Sequence, residues 1–183
     1  MKVCWVTNEK FYSKLLRYLF TDVSSHVGVM FDFDGISLAT DINKPFGKVW
    51  DSRYWLSKYS IVWHMDIALT HDHEIELYKY CADYCVLRPY DMNAYYFGMI
   101  AGLKYKFFGC SLPTENTWSN NTGGTCQEIV TPILQNDIIK QIEPRFANVD
   151  YLKFPCMTPD MVMDVLKAAT SNNPRIRWTF NGA

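Results

Sequence analysis

Cys126 is the residue whose setting most suggests chemistry. Thr125-Cys126-Gln127-Glu128 has the form of a capping box, with Thr125 accepting from the Glu128 amide and the Glu128 carboxylate reaching back to the Thr125 amide. Such a box places Cys126 in the first helical turn, where unpaired backbone amides and the positive end of the helix dipole favour the nucleophilic thiolate. Gly123 and Gly124 precede it, allowing close backbone approach and leaving room for a substrate carbonyl beside amides that can hold an oxyanion. The plainer account of the same pattern is a small buried thiol in a capped helix. Pro132 lies inside this helix, where its missing N–H unpairs the Glu128 carbonyl and bends the chain, but the first turn escapes that effect.

The elements that must position such a residue are legible from periodicity. Lys2 to Thr7 reads as a short strand, followed from about Glu9 to Phe20 by a helix with Phe11, Leu15, Leu16, Leu19 and Phe20 on one side. Ser25 to Asp32 is β-rich, Asp34-Gly35 is a turn signal, and Ile36 to Thr40 returns, giving a hairpin with His26 at its mouth. Asp41 to Trp50, with Pro45 and Gly47, reads as loop, and Ser60 to Ile67 as a further strand. Tyr78, Cys81, Ala82 and Cys85 form one apolar stripe of a helix over Glu74 to Leu87, which ends before Pro89. A helix over Met92 to Leu103 precedes an irregular segment, Lys104 to Gly124, long enough to suggest a functional loop. Gln127 to Ile139 and Asp160 to Ala169 are amphipathic helices, the second capped by Thr158 with Pro159 at its first position.

A chain of 183 residues, 49% hydrophobic and 20% charged with net charge −1, is globular in composition and long enough for one domain with its own core. Scattered cations leave no basic face for a phosphate backbone, so nucleic acid is not an expected partner. No apolar run reaches the roughly 18 residues of a membrane span, and the first residues do not form a signal peptide. A cytoplasmic location is the expectation. In that setting the six cysteines read as free thiols rather than a disulfide framework.

Ser25-His26-Val27-Gly28-Val29 and, about a hundred residues later, Thr125-Cys126-Gln127-Glu128-Ile129-Val130 together resemble the circularly permuted papain-like families. The likeness is to the YaeF/YiiX type, related to lecithin:retinol acyltransferase-like proteins and NlpC-type amidases. In those families a Ser-His-Val-Gly strand supplies the catalytic histidine and a later Cys-Ser-Glu-Leu-Val helix start supplies the nucleophile. Gln127 stands here for the usual Ser, and Ile129 for the usual Leu. Arg88-Pro89-Tyr90-Asp91 resembles the Pro-Tyr-Asp segment between the two motifs, and Thr158-Pro159-Asp160 continues the likeness weakly.

The resemblance implies an α+β, NlpC-like fold in which a small antiparallel sheet packs against helices, in a single domain over 1–183. It makes Cys126 the nucleophile and His26 the base, the pairing that thiol catalysis requires. The activity implied is a thiol protease or amidase cleaving a peptide, isopeptide or cell-wall peptide bond, with no metal or organic cofactor. The third member departs from the pattern. Where the YaeF/YiiX type has Glu-Ala on the next strand, this chain has Ser37-Leu38-Ala39-Thr40-Asp41. Asp41 is the first choice to orient His26 and Thr40 the second, with Ser37, a backbone carbonyl or water as alternatives. Without such a partner the domain becomes a degenerate module whose irregular Lys104 to Gly124 segment contacts a protein. A lipid acyl hydrolase or acyltransferase is the remaining relative, disfavoured by the lack of a visible membrane anchor.

Other residues carry competing readings. Gly124 and Thr125 are expected at the oxyanion and substrate site, and Trp118 either walls the cleft or anchors its loop. His71 and His73 with Cys81 and Cys85 have the ligand types of a zinc site, but the spacing matches no compact zinc module. His64 alternates with Val62 and reads as a core or rim residue, and Cys4, Cys110 and Cys156 read as structural.

Overall fold

The computed structural model describes residues 1–20, 22–42, 46–119 and 123–182. Val3 to Val6, all buried, make strand β1 (Lys2–Thr7) the natural centre of a sheet. Around it lie β2 (His26–Phe33), β3 (Ile36–Asp41), β4 (Lys48–Asp51), β5 (Ser60–Ile67) and β6 (Ile176–Phe180). Their spatial order is β4-β3-β2-β1-β5-β6, with every neighbouring pair antiparallel. The β2–β3 hairpin turns at Asp34 and Gly35, with φ of 52° and 75°, the pair of positive values that a type I′ turn demands.

The two faces of this sheet have different covers. Val3, Trp5, Val27, Val29 and Phe31 alternate onto one face and join the main core with Leu77, Cys81, Ile133, Phe146 and Leu166 from the helices. Cys4, Val6, Met30 and Ala39 point to the other face, where Trp55 of helix α2 (Ser52–Leu56) covers them. The remaining helices are α1 (Phe11–Phe20), α3 (His71–Cys85), α4 (Met92–Phe108), α5 (Val130–Leu134), α6 (Asp137–Ile142) and α7 (Pro159–Thr170). The architecture is a mixed α+β fold. Its six-stranded antiparallel sheet is larger than the small one expected.

Several boundaries differ from the periodicity reading. The segment read as loop between Asp41 and Trp50 holds β4, whose register of Asp41 opposite Lys48 is set by β3 rather than by local pattern; Pro45 lies outside the described residues. Helix α4 continues past Leu103 to Phe108 and stops at Gly109, which takes the left-handed conformation and closes the last turn onto Lys104 and Tyr105 carbonyls. The extra turn is exposed and so has no apolar period to announce it. The helix expected over Gln127 to Ile139 is three pieces: a 3₁₀ helix (Cys126–Ile129), α5, and α6 behind an Asn136 cap. Because the chain switches from 3₁₀ to α at Val130, Pro132 falls in the first turn of α5, where its missing N–H costs little.

Candidate active site

Cys126 opens the 3₁₀ helix and is 3% exposed. The turn before it is pinned by the Arg88-Pro89-Tyr90-Asp91 segment: Gly124 N–H donates to Pro89 O at 3.0 Å, Asp91 N–H to Gly124 O at 3.1 Å, and Arg88 Nε to Gly123 O at 3.0 Å. Asp91 then caps α4 by accepting from the Ala94 amide at 2.9 Å, so one segment sets both the nucleophile turn and a long helix. The Glu128 carboxylate reaches back to the Thr125 amide at 2.6 Å, as a capping box requires. The Thr125 side chain faces the Glu128 amide to complete the box. Its hydroxyl also donates to the same carboxylate at 2.9 Å, and the Glu128 amide bonds the Thr125 carbonyl at 3.1 Å, the geometry of a tight 3₁₀ turn. Gly124 plays another part than the one expected. A Cβ there would lie 2.8 Å from Arg88 Nε and 3.3 Å from Ile42, so the missing side chain admits arginine rather than substrate.

His26 begins β2. The chain entering it is held from α7, whose Asp160 carboxylate accepts from the Val23 amide at 2.6 Å and from the Ser24 amide and hydroxyl. Its Nε2 lies 3.1 Å from Asp41 Oδ2, and Tyr59 stacks on the ring with centroids 5.1 Å apart. Cys126 lines the same cleft as His26, and its sulfur acts electrostatically on the imidazole. With Nε2 occupied, Nδ1 is the nitrogen left for the thiol. Burial opposes the imidazolium, but the Cys126 sulfur and the Asp41 carboxylate outweigh it and push His26 up to about 10. Imidazolium is therefore the favoured form at neutral pH.

Asp41 is wholly buried and takes three donors: His26, Trp50 Nε1 at 2.9 Å and Trp55 Nε1 at 2.8 Å. Burial raises the carboxyl, yet the imidazole and the two indoles more than offset it and leave Asp41 below its usual range. Thr40, the second choice, is corrected by strand alternation. It lies opposite Val29 and faces the main core, where its hydroxyl is 3.0 Å from Cys81 Sγ. Ser37 sits opposite Asp32, toward the turn of the hairpin.

Gly28 explains how Trp55 comes so close. A Cβ at Gly28 would lie 2.5 Å from Trp55 Cζ2 and 3.3 Å from Thr40 O, so the indole needs a bare strand to rest on. Gly28→Ala is therefore expected to cost about 1–3 kcal/mol by overpacking. Displacement of Trp55 also withdraws a donor from Asp41. Chemical denaturation checks the first effect, and the His26 titration followed by NMR reads the second.

Gln127 takes part in a way the motif does not suggest. The Cys126 thiol lies 3.2 Å from Gln127 Oε1, while Gln127 Nε2 donates to Met157 O at 3.0 Å. An acceptor at that position competes with His26 for the thiol proton.

His26 and Cys126 open onto a cleft of about 510 Å³, whose walls include Trp50, Trp55, Tyr59, Tyr90 and Tyr95. Tyr90 is held as a neutral phenol, its acidity suppressed well beyond the usual by burial and by the charge of Cys126. These aromatic residues were not distinguishable from core by sequence, since they come from two stretches, 50–59 and 90–95, that are brought together only by the fold. Trp118 is not part of the wall. It is 49% exposed and packs on Phe97 of α4, anchoring its loop; residues 120–122 of that loop lie outside the described residues.

The other thiols lack such a setting. Burial lifts Cys4 to about 12 and Cys156 to about 11, and a bond with Cys81 together with burial pushes Cys85 upward. Cys110 is exposed. The zinc alternative finds no ligand set: Cys81 and Cys85 are buried in the core, and His71 pairs with Asp34 at 3.5 Å. Among the described residues no group of three or more His, Cys, Asp or Glu is arranged to hold a metal. His64 sits between Asp66 at 3.1 Å and Asn181 at 3.0 Å, away from the cleft.

The fold is similar to that of the metalloprotein yiiX from Escherichia coli O157:H7, a DUF1105 protein, over 100% of this chain and 97% of that one. The TM-score is 0.56 and the sequence identity 13%. No protein family and no curated protein matches the sequence. No helix among the described residues is long and apolar enough to cross a membrane.

Proposed function

We propose that this chain is a cysteine hydrolase of circularly permuted papain-like type that cleaves an amide bond, with Cys126 as nucleophile, His26 as general base and acid, and Asp41 orienting the imidazole. The observation that carries the reading is one imidazole with Asp41 on Nε2 that shares a single cleft with Cys126. His26 takes the thiol proton, and the thiolate attacks the substrate carbonyl carbon. The resulting oxyanion is received by the Cys126 backbone N–H, which the start of a helix leaves without an intrahelical acceptor, with the neutral Tyr90 phenol a second donor on the same cleft. The imidazolium gives its proton to the leaving amine, and the C–N bond breaks to leave a thioester. Water, deprotonated by His26, attacks that thioester, releasing a carboxylic acid and restoring the thiol.

Asp41 favours this reading over a degenerate binding module, because it fills the role left open by the missing glutamate. A time course of iodoacetamide labelling at pH about 6 tests it without a known substrate. Cys126 should be modified at least tenfold faster than the exposed Cys110, although it is far less accessible. Labelling of Cys126 no faster than Cys110 would make it an ordinary thiol and end the hydrolase reading.

A further inference from the structure

The charges on the cleft are one-sided. Its lining includes Lys10, Lys48 and Lys58 and, among the described residues, no Asp or Glu. Among the described residues none of the three lysines forms an ion pair there. The carboxylates closest in sequence are engaged elsewhere, Glu9 with Lys14 at 2.8 Å and Asp51 as the cap of α2. Lys48 lies 5.2 Å from the Phe46 ring and 5.1 Å from Trp50, and Lys58 4.9 Å from Tyr54, while Trp50 and Tyr54 stack at 5.4 Å. These aromatic faces hold the two ammonium groups along one edge of the cleft without neutralising them. A chain of net charge −1 thus concentrates unpaired positive charge around its candidate nucleophile.

We propose that the cleft selects acidic peptide substrates, receiving carboxylates beside the scissile amide on Lys48 and Lys58 from the β4–α2 edge and on Lys10 from the segment before α1. The inference rests on the hydrolase reading for its scissile bond, but the charge selection can be measured apart from it. Cations near the mouth of a focused cleft each raise the local concentration of a monoanion by roughly twofold in water-like dielectric at low salt.

The test compares iodoacetate, an anion, with iodoacetamide, its neutral analogue, on the same protein. The ratio of their rates at Cys126, divided by the same ratio at Cys110, is expected to be about five- to tenfold at low salt. Part of it belongs to the His26 imidazolium. The triple variant Lys10→Gln, Lys48→Gln, Lys58→Gln isolates the remainder and should lower the ratio at least threefold, as should about 0.5 M salt, where charges are screened within a few ångströms. Fluorogenic peptide amides differing only by Glu or Gln beside the scissile bond should then differ at least tenfold in kcat/KM, in favour of Glu. A ratio unchanged in the triple variant, or equal turnover of the two peptides, overturns the proposal. Slow labelling with the lysine-dependent ratio intact would count against the hydrolase while supporting charge selection, and fast labelling without it would do the reverse. No labelling by either reagent would close the cleft to substrate and overturn both.

Discussion

Substitution of His26 by alanine is expected to lower amide hydrolysis by about 10³-fold, since positioned proton transfer supplies roughly 10²–10⁴ in such reactions. The effect on alkylation is smaller and differently shaped. An unassisted thiol is only about 0.3% ionised at pH 6, but the thiolate it does form is more nucleophilic than one stabilised by an imidazolium, so the net loss is about tenfold. In the variant the rate should climb about tenfold per pH unit between 6 and 8, more steeply than in wild type. Parallel slopes would show that His26 does not take the thiol proton. Stability carries a second signature. The folded-state value of about 10 lies above the ordinary imidazole value of about 6.5, so protonation at His26 favours the folded chain fully below pH 6.5 and ceases to do so as the pH rises through 10. The melting temperature of His26→Ala should therefore fall short of wild type by more at pH 6.5 than at pH 10.

Asp41→Asn is the second large effect. The carboxylate accepts three N–H groups in a fully buried site, two on Oδ2 and one on Oδ1. Asparagine has one acceptor oxygen and one amide nitrogen, so whichever way it turns, an N–H faces another N–H. At least one indole or imidazole donor loses its partner, at about 1–3 kcal/mol, and the charge-assisted bond to the imidazolium is lost with it. Turnover should fall about 10²–10⁴-fold, because the imidazole is no longer held with Nδ1 toward Cys126. The His26 titration should move down from about 10. Wild-type turnover in Asp41→Asn with an intact fold by circular dichroism would remove Asp41 from the machinery. Trp50→Phe, which deletes one donor and keeps the charge, should show a much milder loss and so separates orientation from packing.

The parts of the site that sequence alone determined are those with short-range causes. The position of Cys126 at a helix start follows from Glu128 three residues after Thr125, and the placement of His26 on a hairpin follows from the alternation around Val27 and Val29 and from Asp34-Gly35. The partner that orients His26 could be ranked, Asp41 before Thr40, but not chosen, because a strand offers adjacent residues to opposite faces. Choosing between them needed the register: once Val29 lies opposite Thr40, Thr40 belongs to the main core and Asp41 to the face of His26.

Everything that gives those residues their chemistry is non-local. Trp50 and Trp55 reach Asp41 only because β4 pairs with β3 and Gly28 leaves the strand bare. Tyr59 on the imidazole and Tyr90 beside the sulfur look like any other aromatic in a chain that is 16% aromatic. Trp118 and Gly124, chosen for their nearness to Cys126 in sequence, turned out to serve the loop and Arg88 instead. Sequence records which residues can cap, turn and alternate, because those interactions span a few residues. Which donors surround a buried carboxylate, and which lysines share a cleft with no acid, is decided only when distant segments are packed together.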